Sequence, residues 1–168
     1  MGECWGIDSI SDSLIVGFCL PTPRVDILSE EGAVLNTSNS SEGQLFKQPK
    51  NITVDKRTDT TRILVSDSGK DTVYMLDDGL QLLQAFKLPT AGSPRGLAAV
   101  GGGQVLVLVD DWGTNTLHLL DLTTGRWRIL LVGGEGLGQP VSLVYNQARK
   151  QLCVGGLADE VKVYTVSK

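Results

Sequence analysis

Short runs of alternating polar and apolar residues recur along this chain, with turn residues between them. Residues 51–55 (Asn-Ile-Thr-Val-Asp) alternate strictly, the period-two pattern of a strand with one buried face. A charged, turn-like stretch follows at 56–61, then a second strand at 62–67 and a Ser-Gly-Lys-Asp turn at 68–71. A third run covers 72–77, the hairpin dipeptide Asp78-Gly79 comes next, and a fourth run covers 80–88. The same layout returns after the Gly101-Gly102-Gly103 turn. There, residues 105–109 are apolar without alternation, as a strand covered on both faces reads. The period-two pattern leaves no room for a helix of three turns between residues 51 and 166. It predicts at least twelve antiparallel strands.

The layout repeats at a fixed interval. Pro49, Pro94 and Pro140 stand 45 and 46 residues apart, and Cys4 occupies the matching place one period earlier. A period of this size, built only from strands, predicts four-stranded antiparallel blades set radially: an all-β protein with the β-propeller fold. The blades are expected over about 4–48, 49–93, 94–139 and 140–168 of a single domain spanning 1–168. The fourth lacks an outer strand, and the first begins abruptly at its inner strand. The expectation is therefore an incomplete ring, the C-terminal part of a larger propeller. Its apolar end faces would include Leu14, Ile15 and Val16 on one side. On the other side would stand Leu152, Cys153, Val154, Val161 and Val163. If the ring does not close, the chain would self-associate through these faces. The polar stretch 35–43 reads as a long loop or ragged strand end.

Charge and cysteine content narrow the class further. The formal net charge of −4 argues against a dedicated polyanion binder at the level of the whole chain. Three cysteines (Cys4, Cys19 and Cys153) on or beside apolar strand segments read as buried free thiols of a reducing compartment. No basic segment followed by an apolar core opens the chain, and no apolar run approaches the roughly 20 residues that span a bilayer. A cytoplasmic location with no membrane partner is expected.

The sequence Pro49-Lys50-Asn51-Ile52-Thr53-Val54-Asp55 is followed by Ile63-Leu64-Val65-Ser66-Asp67-Ser68-Gly69 and Val73-Tyr74-Met75-Leu76. Together these resemble an NHL repeat. The third repeat is similar, with Pro94-Arg95-Gly96-Leu97-Ala98 and then Val109-Asp110-Asp111-Trp112-Gly113-Thr114-Asn115. The fourth matches more weakly, and Trp5-Gly6-Ile7-Asp8 is the best piece of a degenerate first. WD-repeat markers are absent. An array of this kind looks most like the C-terminal propeller of tripartite-motif proteins. The resemblance implies a six-bladed ring that recruits a protein or RNA target, with ubiquitin-ligase activity in a RING domain elsewhere in the polypeptide. Three scattered cysteines and one histidine cannot build the paired zinc sites of a RING.

Chemistry is sparse. His118 is the only histidine and lies on an alternating strand, which reads as a partly buried or cross-strand side chain. Asp67, Asp110 and Asp111 end second strands, where Asp accepts backbone N–H bonds of the following turn. The Gly133–Gly138 stretch lacks the Lys-Ser/Thr of a phosphate loop. No catalytic residue, metal site or cofactor is indicated. Binding falls instead to the loops of one face, where Arg24, Lys47, Lys50, Lys70 and Arg95 cluster with Trp112 and Asn115. A protein is the first partner expected there. Single-stranded RNA is the second, and a propeller enzyme resembling an amidating lyase the third.

Overall fold

The computed structural model describes residues 3–38, 43–56, 60–111, 115–133, 140–156 and 161–165. These contain fifteen strands and no helix. The first sheet is built from β1 (Glu3–Ile10), β2 (Ser13–Leu20), β3 (Arg24–Ser29) and β4 (Val34–Thr37). The second holds β5 (Pro49–Lys56), β6 (Thr61–Asp67), β7 (Thr72–Leu76) and β8 (Leu82–Lys87). The third holds β9 (Ser93–Gly101), β10 (Gln104–Asp110), β11 (Thr116–Asp121) and β12 (Trp127–Val132). The last holds β13 (Pro140–Asn146), β14 (Gln151–Gly156) and β15 (Val161–Thr165). Strand order within each sheet is sequential and every pair is antiparallel. Pro49, Pro94 and Pro140 all fall at blade entries, where a missing N–H costs no ladder bond.

Side-chain alternation decides how the sheets stack. Ile52, Val65 and Tyr74 are cross-strand neighbours and point back at the first blade, where Ile15 and Ile27 meet them. Leu64 and Met75 point forward, onto Leu97, Val107 and Leu120 of the third blade. The third core joins Leu106, Leu108 and Leu117 to Leu143, Leu152 and Val154. Each internal blade is thus apolar on both faces, which is why residues 63–65 of β6 and 105–109 of β10 read as unbroken apolar runs. The inner strands β1, β5, β9 and β13 line a shared axial cavity of ≈ 320 Å³. The fold is a β-propeller.

Blade-to-blade hydrogen bonds repeat with the same period. The Val54 amide donates to Asp8 Oδ2 at 2.8 Å, and the Leu97 amide to Asn51 Oδ1 at 3.1 Å. At the blade entries the Cys19 thiol donates to the Pro49 carbonyl, and the Ser66 hydroxyl to the Arg95 carbonyl. Inner strands approach closely at Gly6, where a Cβ would lie 2.9 Å from Asn51 Cα.

Of the two readings of 35–43, the strand end holds at 35–37: these residues belong to β4, held by pairing with β3 and by Asn36 Nδ2 donating to the Gly79 carbonyl of the next blade. Other expectations need correction. Of the cysteines, only Cys19 is buried; Cys4 is exposed and Cys153 half-buried. Ile15 is not on an end face, because strand alternation turns it into the second blade. Leu152 and Val154 likewise point into the third blade, and Cys153 faces outward between them.

Candidate binding rim

The segment that crosses from the first blade to the second is pinned by Asp67. This carboxylate is fully buried at the end of β6. Its Oδ2 accepts the Lys47 amide at 2.6 Å, and its Oδ1 accepts the Gln48 and Gly69 amides at 2.9 Å each. One side chain therefore ties the inter-blade crossing to the β6–β7 turn. Hydrogen bonds to the charged form supply the compensation that a buried carboxylate needs. Lys70 adds two more ties, its Nζ donating to the Gln44 and Leu45 carbonyls at 2.8 and 2.7 Å. Phe46 anchors the crossing from beneath, buried edge-on to the Tyr74 ring with centroids 5.3 Å apart.

Between this crossing and the β2–β3 turn lies a groove of ≈ 400 Å³, lined by residues 22–24, 37–38 and 43–46. Arg24 forms part of its wall. The guanidinium pairs with the buried Asp26 at 2.8 Å and lies over the Phe18 ring, 4.4 Å from its centroid. The groove offers backbone carbonyls, hydroxyls and an aliphatic floor, with both walls fixed by internal bonds.

The expected basic cluster is largely spent inside the fold. Arg24 is paired with Asp26, and Arg95 with Asp110 at 2.6 Å. Lys50 sits over the Trp5 ring, 3.7 Å from its centroid. Lys70 serves backbone carbonyls, while Lys47 is exposed at the rim. Arg24, Lys47 and Lys70 come together around the groove; Lys50 and Arg95 mark the next blade entries. Asn115 is a buried residue beside the Gly133 backbone, not a surface contact, so its place on the binding face is corrected. Trp112 lies outside the described residues. The groove's own Gln44 and Leu45 escaped the sequence reading. Their only signal is position, since they sit in the crossing that meets the β2–β3 turn at one blade entry.

Asp67 accepts turn amides, as its place at a strand end implies. Asp110 instead pairs with Arg95. His118 is buried, shares a 2.8 Å hydrogen bond between Nε2 and Thr116 Oγ1, and stands edge-on to Trp127. Among the described residues no three His, Cys, Asp or Glu side chains gather as a metal site would need.

No family model matches the chain, and no curated protein does. Solved structures match it well. A chain in the crystal structure of the nidogen/laminin complex is 19% identical over 96% of this chain and 60% of its own length, with TM-score 0.78. The β-propeller domain of Cps50 (Swd1) from Myceliophteria thermophila is 13% identical over 99% of this chain and 55% of its own, with TM-score 0.67. The computationally designed Ika4 protein is 14% identical over 98% of this chain and 92% of its own, with TM-score 0.63. The chain thus spans a little over half the length of the first and the second of these. The likeness is one of fold, and it places the chain among the β-propellers.

Proposed function

We propose that this chain is a non-catalytic binding platform whose partner is a protein, held at the groove between the β2–β3 turn and the first inter-blade crossing. The observation that carries the reading is the groove's rigidity. Asp67 and Lys70 fix the crossing wall and the Arg24–Asp26 pair holds the turn wall, so a partner meets a surface that need not be ordered on binding. Engagement of the basic side chains inside the fold supports protein over RNA. Arg24 and Arg95 are neutralised by carboxylates, Lys50 and Lys70 are held by a ring and by backbone carbonyls, and a nucleic-acid site needs cations free to meet phosphates. The similar chain of the nidogen/laminin complex also comes from an assembly of proteins.

The finer reading is an NHL-type propeller of the tripartite-motif kind, recruiting substrates for a ligase domain elsewhere in a cytoplasmic parent. Its support is the placement of the motif residues: 49–55 form the inner strand, Asp67 ends the second strand and 73–76 lie in the third.

Thr22 and Gln44 are both exposed, so changing them leaves the core untouched. The Thr22→Arg, Gln44→Arg double variant fills the groove and adds positive charge. Captured proteins, compared by quantitative mass spectrometry with wild type, should be lost from this variant. Capture by wild type should resist nuclease. It should also persist between about 50 and about 200 mM salt, where a contact to 6–10 phosphates would weaken by ~10³ or more. Stronger capture by the double-arginine variant, abolished by nuclease, would replace the protein reading with the RNA one.

A further inference from the structure

The outer strand of each of the first three blades is a sheet edge, and the three strands differ in how they guard it. An edge strand bonds to one neighbour alone. A row of its N–H and C=O groups therefore faces away from the sheet, ready to pair with extended backbone. The usual protections are a short edge and an edge lysine. β4 is four residues long, and its Asn36 is tied to the Gly79 carbonyl. β8 carries Lys87, whose Nζ donates to the Lys70 carbonyl at 2.6 Å and lies 3.6 Å from Asp71 Oδ2. β12 has neither protection. It is six residues long, and Ile129, Leu130, Leu131 and Val132 follow one another at 49%, 39%, 36% and 66% exposure. All three strands have a bulge against their neighbour, at Leu35, Leu83 and Leu130, so the bulge does not set β12 apart.

Charge narrows what fits this edge. Arg126 and Arg128 are exposed, one just before β12 and one at its start. Among the described residues no carboxylate pairs with either guanidinium, in contrast to Arg24 and Arg95. We propose that the free edge of β12 takes up an extended segment of a partner protein as a fifth strand of the third blade. Main-chain hydrogen bonds hold the segment, and its apolar side chains meet the apolar run of β12. It runs antiparallel, like every pair in this blade, and ends in carboxylates, which then lie beside Arg126 and Arg128. A second copy of the chain fits less well. β12 contains no acidic residue, so no register of two such strands gives the arginines an anion. The edge belongs to the third blade and is independent of the groove between the first blade and the second.

The test titrates the 168-residue chain with three fluorescein-labelled synthetic peptides, read by anisotropy. One is an alternating Thr-Val strand ending in Asp-Glu. The second ends in Lys-Lys instead. The third is the acidic strand with a central proline, which removes a ladder donor. Hydrogen exchange is then followed by mass spectrometry with and without the acidic peptide. That peptide should bind several-fold more tightly than either control. It should slow exchange in residues 127–132 and leave 22–24 and 43–46 unchanged. The Arg126→Glu, Arg128→Glu variant, its fold checked by an unchanged melting temperature, should prefer the Lys-Lys peptide. If the variant unfolds, the comparisons on the wild type decide by themselves. No binding of the acidic peptide up to about 1 mM overturns the inference. So does equal binding of the proline peptide, protection at another strand edge, or an unchanged preference in the folded variant. A peptide-free dimer protected at 127–132 also overturns it, by making a second copy the occupant.

Discussion

Burial between Thr116 and the Trp127 ring pushes the pKa of His118 below its ordinary 6.5, because the interior disfavours the charged ring. In the unfolded chain the imidazole titrates near its ordinary value, so acid protonates the unfolded state first. Stability is therefore complete above that value and falls as pH drops through the window between it and the lower folded value. Chemical denaturation from about pH 8 to about pH 5 should show this loss in wild type and a smaller one in His118→Gln. Equal losses in the two proteins would assign the acid sensitivity to other groups. Residue roles were unevenly legible. Asp67 could be read as a turn acceptor from its place at a strand end, a local relation. That Arg24 and Arg95 are neutralised by Asp26 and Asp110 could not, since charge pairs are set by cross-strand register and strand packing.

Strand spacing sets the behaviour of whole elements. At Gly6, β1 runs so close to β5 that a Cβ would touch Asn51 Cα and Ile52 N at 2.9 Å, and backbone on both sides cannot yield as a side chain would. Gly6→Ala should therefore push the first blade off the second, at a cost of about 2 kcal/mol in denaturant titration. Gly155, on the outward face of the fourth blade, has nothing within 4 Å of its Cβ position. Gly155→Ala should stay within about 0.5 kcal/mol of wild type. A harmless Gly6→Ala would mean that the blades separate and repack without penalty. The strands themselves were plain in the sequence, down to hairpin turns such as Asp78-Gly79. The outer strand β4 was the exception: its polar composition hid a partner, the Gly79 carbonyl, that lies on another blade.

Among the described residues each blade packs chiefly on its neighbours, so stability should vary along the array as in other repeat proteins. The strands β6 and β10 have cover on both faces and are buried over most of their lengths. Hydrogen exchange should be slowest there. It should be fastest in β1 and β15, which are exposed or half-buried over most of their lengths. Uniform protection across all four blades would show a single cooperative unit instead.

The sequence by itself determined the blade. Period-two alternation, turn dipeptides and a 45-to-46-residue spacing are local signals, and they specify strand count, order and hairpin pairing whatever the surroundings. Only the tertiary structure decided which cations remain available, where the groove lies and which apolar rows stay uncovered. Ile7 and Ile52 read alike in the sequence, as apolar residues at one place in the repeat. What separates them is the neighbouring blade, because burial belongs to the packed pair of sheets and not to the residue.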